Sequence, residues 1–320
     1  MVKYAKKSEM QEYVKKNIFG ANLDNNSTRG WEYPFLLEVL NITPPDSVLD
    51  VGCAQNHLHF ELAKRGYKVT GVDIWDGEAP NCPNPAFGGF SKKAAKTKGL
   101  DIQYLAEDMC MMSLPDNSFD CVVCVSVLEH LESEIDRIWS IDEMKRVLKP
   151  GKRLIITEDF RPFGQMDWDY RVHIKSSGMK FLEPVKKLPW IEEIGSDFDT
   201  HFNMTAVPGV PFTSVGYCLI KPEEKSKLTK PFGSRATYKD NKVRIEARNR
   251  AILKAEEMSK QSNFRLVAKW LERAIDADPY FLKPYKILIK LYENLGDFSS
   301  ASYVALCFEN INNKKTGTRL

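Results

Sequence analysis

The chain has no long apolar run. Its longest, Cys121 to Leu128 among them, fall well short of the ~18–20 residues that a helix needs to cross a bilayer, so no membrane span is expected. It has no excess of one charge: 46 basic and 43 acidic side chains leave a net +3, which alone gives no footprint for nucleic acid. Its seven cysteines lack the spacing of a disulfide framework. Cys121-Val122-Val123-Cys124 is a CxxC pair, but it lies in a run that reads as a strand. Alternation then sends the two thiols to opposite faces, which excludes a shared metal. The start, MVKYAKKSEM, lacks the apolar core of a signal peptide. The expectation is reduced thiols, no metal site and a cytoplasmic location.

Glycine is scarce where a nucleotide site most needs it. Ser47 to Ile74 reads strand, tight loop, helix, strand. Val48, Leu49 and Val51 surround Asp50 in the first strand. Leu58, Phe60, Leu62 and Ala63 suggest a helix closed by Gly66, and Lys68 to Asp73 is the second strand. This βαβ start implies a mostly parallel sheet with a cleft at the carboxyl ends of its strands. A dinucleotide fingerprint needs three glycines so that bare backbone can meet a pyrophosphate. Here those positions are Gly52, Ala54 and His57. Asp50, just before the loop, would repel a pyrophosphate and suits a cation. Asp73, ending the second strand, can accept hydrogen bonds from two ribose hydroxyls. A ligand with an adenosine ribose, a positive charge and no phosphate fits S-adenosylmethionine.

With these residues the sequence resembles the class I S-adenosylmethionine-dependent methyltransferases, whose first motif is acid-x-Gly-x-Gly-x-Gly. This chain reads Asp50-Val51-Gly52-Cys53-Ala54-Gln55-Asn56, with two of the three glycines replaced. The resemblance extends through about residues 46–160. Asp108 follows the third strand, Asp101 to Leu105, at the place where the pattern has an adenine-binding acid. Leu114-Pro115-Asp116-Asn117-Ser118-Phe119-Asp120, a buried strand and then Val127-Leu128-Glu129-His130-Leu131 are similar to the type 11 methyltransferase domain. The helix Ile135 to Leu148 ends at Lys149-Pro150-Gly151-Lys152, where family members usually carry a second glycine, and the fifth strand runs from Arg153 to Thr157.

The resemblance implies a Rossmann-like α/β fold, mostly parallel with helices on both faces, and cofactor contacts from Asp50, Gly52, Ala54, Asp73, Ile74, Asp108, Met109, Val125 and Ser126. It implies a last strand, Ser214 to Ile220, inserted antiparallel beside the fifth. His130 and Asp159 follow the fourth and fifth strands at the ligand edge, and His173 lies in the next insert; these three are the candidate catalytic residues. The loop Trp75 to Gly89 is a candidate substrate mouth, and Phe181 to Ile194 reads as a last covering helix.

The expected organisation is a helical cap over residues 1–45, a methyltransferase domain over 46–222, a lysine-rich linker over 223–243 and a helical module over 244–312. Within the cap, Arg29, Trp31 and Tyr33 could roof the cleft. In the module Asn263-Phe264 recurs as Asp297-Phe298 after thirty-four residues, and Met258 recurs as Tyr292, which resembles a tetratricopeptide pair. The acceptor is expected to be a small molecule or a glycan precursor. RGWEYP, Arg29 to Pro34, looks like methyltransferases of bacterial surface-polysaccharide pathways. The module is expected to bind a protein partner or a second copy. A catalytically weak binding protein and a protein or peptide methyltransferase are the alternatives.

Overall fold

Short apolar runs broken by turns dictate a sheet, and amphipathic segments between them dictate its covering helices. The structure, a computed structural model, describes residues 1–20, 28–54, 57–74, 92–131, 133–160, 178–182, 213–223 and 241–316. The chain forms two compact units, Met1–Glu223 and Glu224–Leu320.

The first unit opens with β1 (Val2–Tyr4), α1 (Lys7–Lys16) and α2 (Arg29–Val39). Then come β2 (Ser47–Val51), α3 (Leu58–Lys64), β3 (Lys68–Asp73), α4 (Lys92–Thr97), β4 (Ile102–Ala106), β5 (Phe119–Val125), α5 (Glu134–Val147) and β6 (Leu148–Phe160). It closes with β7 (Lys180–Phe181) and β8 (Thr213–Ile220). The sheet runs β1-β8-β6-β5-β2-β3-β4, with β7 also paired to β8. Strands β2 to β6 pair parallel, and β8 returns antiparallel to β6. Mixed direction at one edge is what the family resemblance implied.

Each face of the sheet buries its own core. Leu49, Val51, Val122, Cys124, Leu154 and Ile156 pack with Ile141, Met144 and Val147 of α5. Val48, Cys121, Val123 and Ile155 pack with Trp31, Phe35 and Leu36 of α2 and with Leu58 and Leu62 of α3. Cys121 and Cys124 therefore face opposite layers, as strand alternation requires. Phe35 packs against β8 at Gly216, which leaves room for it: a Cβ there would sit 2.3 Å from the ring.

Three elements differ from expectation. Residues 2–4, expected in a helical preamble, form β1, because Val2 finds Tyr217 as its partner and three residues carry no periodicity of their own. The fifth parallel strand starts at Leu148, which pairs with Phe119 ahead of the turn at Gly151, and it reaches Phe160. Phe181 belongs to a strand, paired with Leu219 of β8, rather than opening a helix. Residues 183–194 of that expected helix, the loop Trp75 to Gly89, His173 and the residues 224–240 of the linker lie outside the described residues.

The edge opposite the cleft is tied by Asp120. Its Oδ2 accepts from Ser47 N–H at 3.1 Å, Ser47 Oγ at 2.8 Å and Lys149 Nζ at 2.9 Å. Lys152 Nζ lies 3.5 Å from Oδ1, so the lysine that replaces the usual glycine serves the same carboxylate. Burial opposes ionisation of Asp120, but the Lys149 and Ser47 bonds outweigh it and hold the carboxyl well below its usual range.

The second unit consists, among the described residues, of α6 (Asn241–Lys260), α7 (Phe264–Ala277), α8 (Lys283–Asn294) and α9 (Phe298–Thr316). Consecutive helices pack on one another. Asn263 and Asp297, thirty-four residues apart, each cap a helix: Leu266 N–H donates to Asn263 Oδ1 and Ser300 N–H to Asp297 Oδ1. In this unit Leu271, Ile275 and Leu288 are buried, Leu291 is half-buried and Ile287 is exposed. No helix among the described residues is long and apolar enough to cross a membrane.

Candidate active site

The parallel strands end together, so the residues that follow them share one edge. Gly52 and Ala54 follow β2, Asp73 ends β3, Asp108 follows β4, Ser126 follows β5 and Asp159 lies near the end of β6. The loop after β2 is held tightly. Gly52 N–H and Cys53 N–H both donate to Val72 O, at 2.8 and 3.1 Å. Gly52 sits at φ 71°, and a Cβ on it would meet Val127 Cγ2 at 2.4 Å, so this glycine has no substitute. Ala54 takes a left-handed φ of 41°, and its N–H donates to Asp73 Oδ2 at 2.9 Å. The expected acid of the second strand is thus oriented by the loop of the first.

Asp108 Oδ1 accepts from Cys110 N–H at 2.8 Å, which fixes the turn after β4. Ile74 is 54% exposed beside Asp73, whereas Met109 and Val125 are core residues. Asp50 is buried behind the loop, with Oδ2 3.3 Å from Nδ1 of the buried His59. Asp50 Oδ1 finds no hydrogen-bond partner among the described residues. A bare loop backbone, a buried acid with an unmet oxygen, and two carboxylates at neighbouring strand ends fit an adenosyl sulfonium, whose hydroxyl and amino donors would meet the acids.

The other half of the edge is acidic. Glu32 of α2 is fully buried and accepts from Ser126 Oγ at 2.6 Å and Thr157 Oγ1 at 2.9 Å, and it pairs with the Arg29 guanidinium. Burial would raise its pKa, but the Arg29 charge and these bonds win and keep it ionised. Ser126 is held at a left-handed φ of 50° by that bond and by its own N–H to Thr157 O, at 2.9 Å. Its side chain is therefore committed to Glu32. Trp31 does not roof the cleft: it is buried in the core under α2, where it stacks on Phe35 and donates to Glu9 at 2.7 Å, whereas Tyr33, also buried, has the Arg29 guanidinium 6.0 Å from its ring. Helical phase separates them: Arg29, Glu32 and Tyr33, at i, i+3 and i+4, share one face of α2, and Trp31 takes another.

Of the catalytic candidates, His130 is the exposed last residue of a 3-10 turn, Leu128–His130, and is brought near Arg29. Burial first, then the Arg29 charge, lower its pKa. Asp159 is close by, and its N–H donates to Glu129 Oε1 at 3.2 Å. His173 is outside the described residues. Glu129, passed over in the sequence, is a carboxyl of this edge whose pKa is raised. Burial, then the charges of Asp159 and Glu32, push it up to about 8. The Glu-His pair of VLEHL was the available signal, but a sequence does not say which of two neighbours turns inward.

Residues 49–156 match the methyltransferase domain family. Over 170 residues, half of this chain and 68% of the relative, the sequence is 28% identical to a ubiquinone biosynthesis O-methyltransferase of Pseudomonas aeruginosa (strain LESB58). It is 27% identical over 157 residues to the enzyme of that name in Coxiella burnetii (strain Dugway 5J108-111), covering 46% of this chain and 62% of the relative. Among solved structures, a geranyl diphosphate C-methyltransferase from Streptomyces coelicolor A3(2) aligns with a TM-score of 0.43 at 13% identity, covering 65% of this chain and 88% of that one. A likeness of that size carries no weight for the acceptor. Residues 49–156 are a methyltransferase domain, and S-adenosylmethionine is its cofactor.

Proposed function

We propose that this enzyme methylates a hydroxyl of a small molecule or glycan precursor. In this reading Gly52, Ala54, Asp73, Ile74 and Asp108 line the cofactor site, and Asp50, Met109, Val125 and Ser126 shape it from behind. The observation that carries it is the hydrogen bond from Ala54 N–H to Asp73, which orients a strand-end carboxylate beside the bare loop. When bound, S-adenosylmethionine supplies an electrophilic methyl group on a cationic sulfur. The chain aligns the acceptor against it, and positioning alone is worth roughly 7–11 kcal/mol of a barrier. The name O-methyltransferase on the two relatives supports an oxygen acceptor. Asp73 hydrogen bonds to the ribose, at about 1.5–3 kcal/mol each, make Asp73→Ala at least tenfold weaker for S-adenosylmethionine by calorimetry, with the fold intact by circular dichroism. An unchanged affinity, or wild-type preference for NAD, would sink the assignment.

The helical unit is proposed as a tetratricopeptide-like module that engages a protein partner or a second copy. The repeated caps at Asn263 and Asp297 support the repeat, and exposed Phe298, Tyr303 and Leu306 on α9 support a contact surface.

A further inference from the structure

On the edge over β5 and β6, Glu129 is an acid with no role so far. Glu129 belongs to the 3-10 turn after β5. Its Oε1 is tied to the Asp159 backbone at 3.2 Å, which fixes the side chain from the β6 side. Its Oε2 is buried and has no hydrogen-bond partner among the described residues. A buried carboxyl oxygen without a partner is costly, so one that persists beside a ligand cleft calls for a group that arrives. The neighbouring acid, Glu32, is engaged by Ser126, Thr157 and Arg29, and its pKa is lowered.

We propose that Glu129 Oε2 accepts the proton of the acceptor hydroxyl. The inference rests on the methyltransferase reading above and adds the base and the acceptor's chemistry to it. As the acceptor oxygen bonds to the methyl carbon, the electron pair of the carbon–sulfur bond stays on sulfur. The O–H bond breaks, and its proton ends on Glu129. Charge balances: a carboxylate and a cationic sulfonium become a carboxylic acid and a neutral thioether. Among the described residues, the groups facing Glu129 are Asp159 from β6, Arg29 and Glu32 from α2 and Cys124 from β5. Burial, Asp159 and Glu32 together raise its pKa to about 8, which leaves it basic enough to serve. A phenolic hydroxyl, with a pKa of about 10, lies nearest to it. An ammonium acceptor fits less well, since it has no lone pair until it has already lost its proton.

The test uses the full chain. In protein labelled with 13C at the glutamate carboxyls, one carbon should titrate near 8 and vanish from the spectrum of Glu129→Gln. S-adenosylmethionine affinity of that variant should stay within about threefold of wild type, because Glu129 lies on the acceptor side. Methyl transfer is followed to a catechol, 3,4-dihydroxybenzoate, to methyl glucoside and to ethanolamine. Wild-type kcat/KM on a hydroxyl probe should rise through about pH 8, and in Glu129→Gln it should fall about 10²–10⁴-fold and lose that rise. Glu129→Asp should keep the rise at reduced rate. The proposal is overturned if no glutamate titrates above the ordinary range, if Glu129→Gln keeps the wild-type rate and profile, or if only ethanolamine or no probe is methylated while the cofactor binds. Failure of wild type to bind S-adenosylmethionine would instead overturn the underlying reading.

Discussion

At the scale of single residues, Ala54 and Glu129 each depart from ordinary chemistry. Ala54 stands at a left-handed φ that an L side chain adopts at a cost of about 1–2 kcal/mol. Ala54→Gly should relieve it, less the ~0.4–1 kcal/mol by which glycine loosens the unfolded chain. The expected outcome in urea denaturation is a gain of about 0.5–1 kcal/mol, with the Asp73 contact kept because it uses the backbone N–H. Glu129 has the opposite character. Its folded pKa is raised, so the folded protein binds that proton more tightly than the unfolded chain. That contribution is complete below the usual glutamate range near pH 4.3 and is lost as pH rises through about 8. Wild type should therefore lose roughly 2–4 kcal/mol relative to Glu129→Gln between pH 5 and 9, read from paired thermal melts. A gap that does not change with pH would place this carboxyl in the ordinary range.

At the scale of elements, α2 is joined to the sheet through one carboxylate as well as through its apolar face. Glu32 gathers donors from residues 94 and 125 positions away, Ser126 on the β5 end and Thr157 in β6. Glu32→Ala would strand Arg29 and both hydroxyls at the cleft edge. A loss of about 3–5 kcal/mol is expected, the range for removing one partner of a buried ion pair. The check is chemical denaturation, and a loss below about 1 kcal/mol would mean that apolar packing alone seats α2. The helix itself was legible from the spacing of Trp31, Phe35, Leu36 and Val39. What that spacing left open was the direction of Arg29 and Glu32, since the apolar pattern allots no partner to the polar face.

At the scale of the whole molecule, the chain divides after Glu223. The first unit contains every described residue of the proposed cofactor site, and its sheet is complete within residues 1–223. A chain ended at Glu223 should fold and bind S-adenosylmethionine within a few-fold of full length, as calorimetry would measure. Any self-association should be lost, as light scattering would report. A truncated protein that folds without binding the cofactor would place the helical unit in the site. The thirty-four-residue period was readable because each cap, Asn263 and Asp297, is a local bond inside its own turn. Which face of α9 meets a partner was not, because exposure depends on the neighbours a helix packs against.

The strand–loop–helix–strand order from Ser47 to Asp73 and the acids at the ends of β3 and β4 followed from the sequence by itself. So did the opposed thiols of Cys121 and Cys124. Each rests on a period of 2 or 3.6 residues or on a turn, and those are properties of neighbouring backbone. The pairing of Val2 with Tyr217 was decided only when the chain closed, as were the burial of Trp31 and Tyr33, the donors around Glu32 and the inward turn of Glu129. The physical reason is range. Periodicity sets which face of an element is apolar, but the charge and proton affinity of a carboxyl depend on which distant donors and acids are brought within a few ångströms of it.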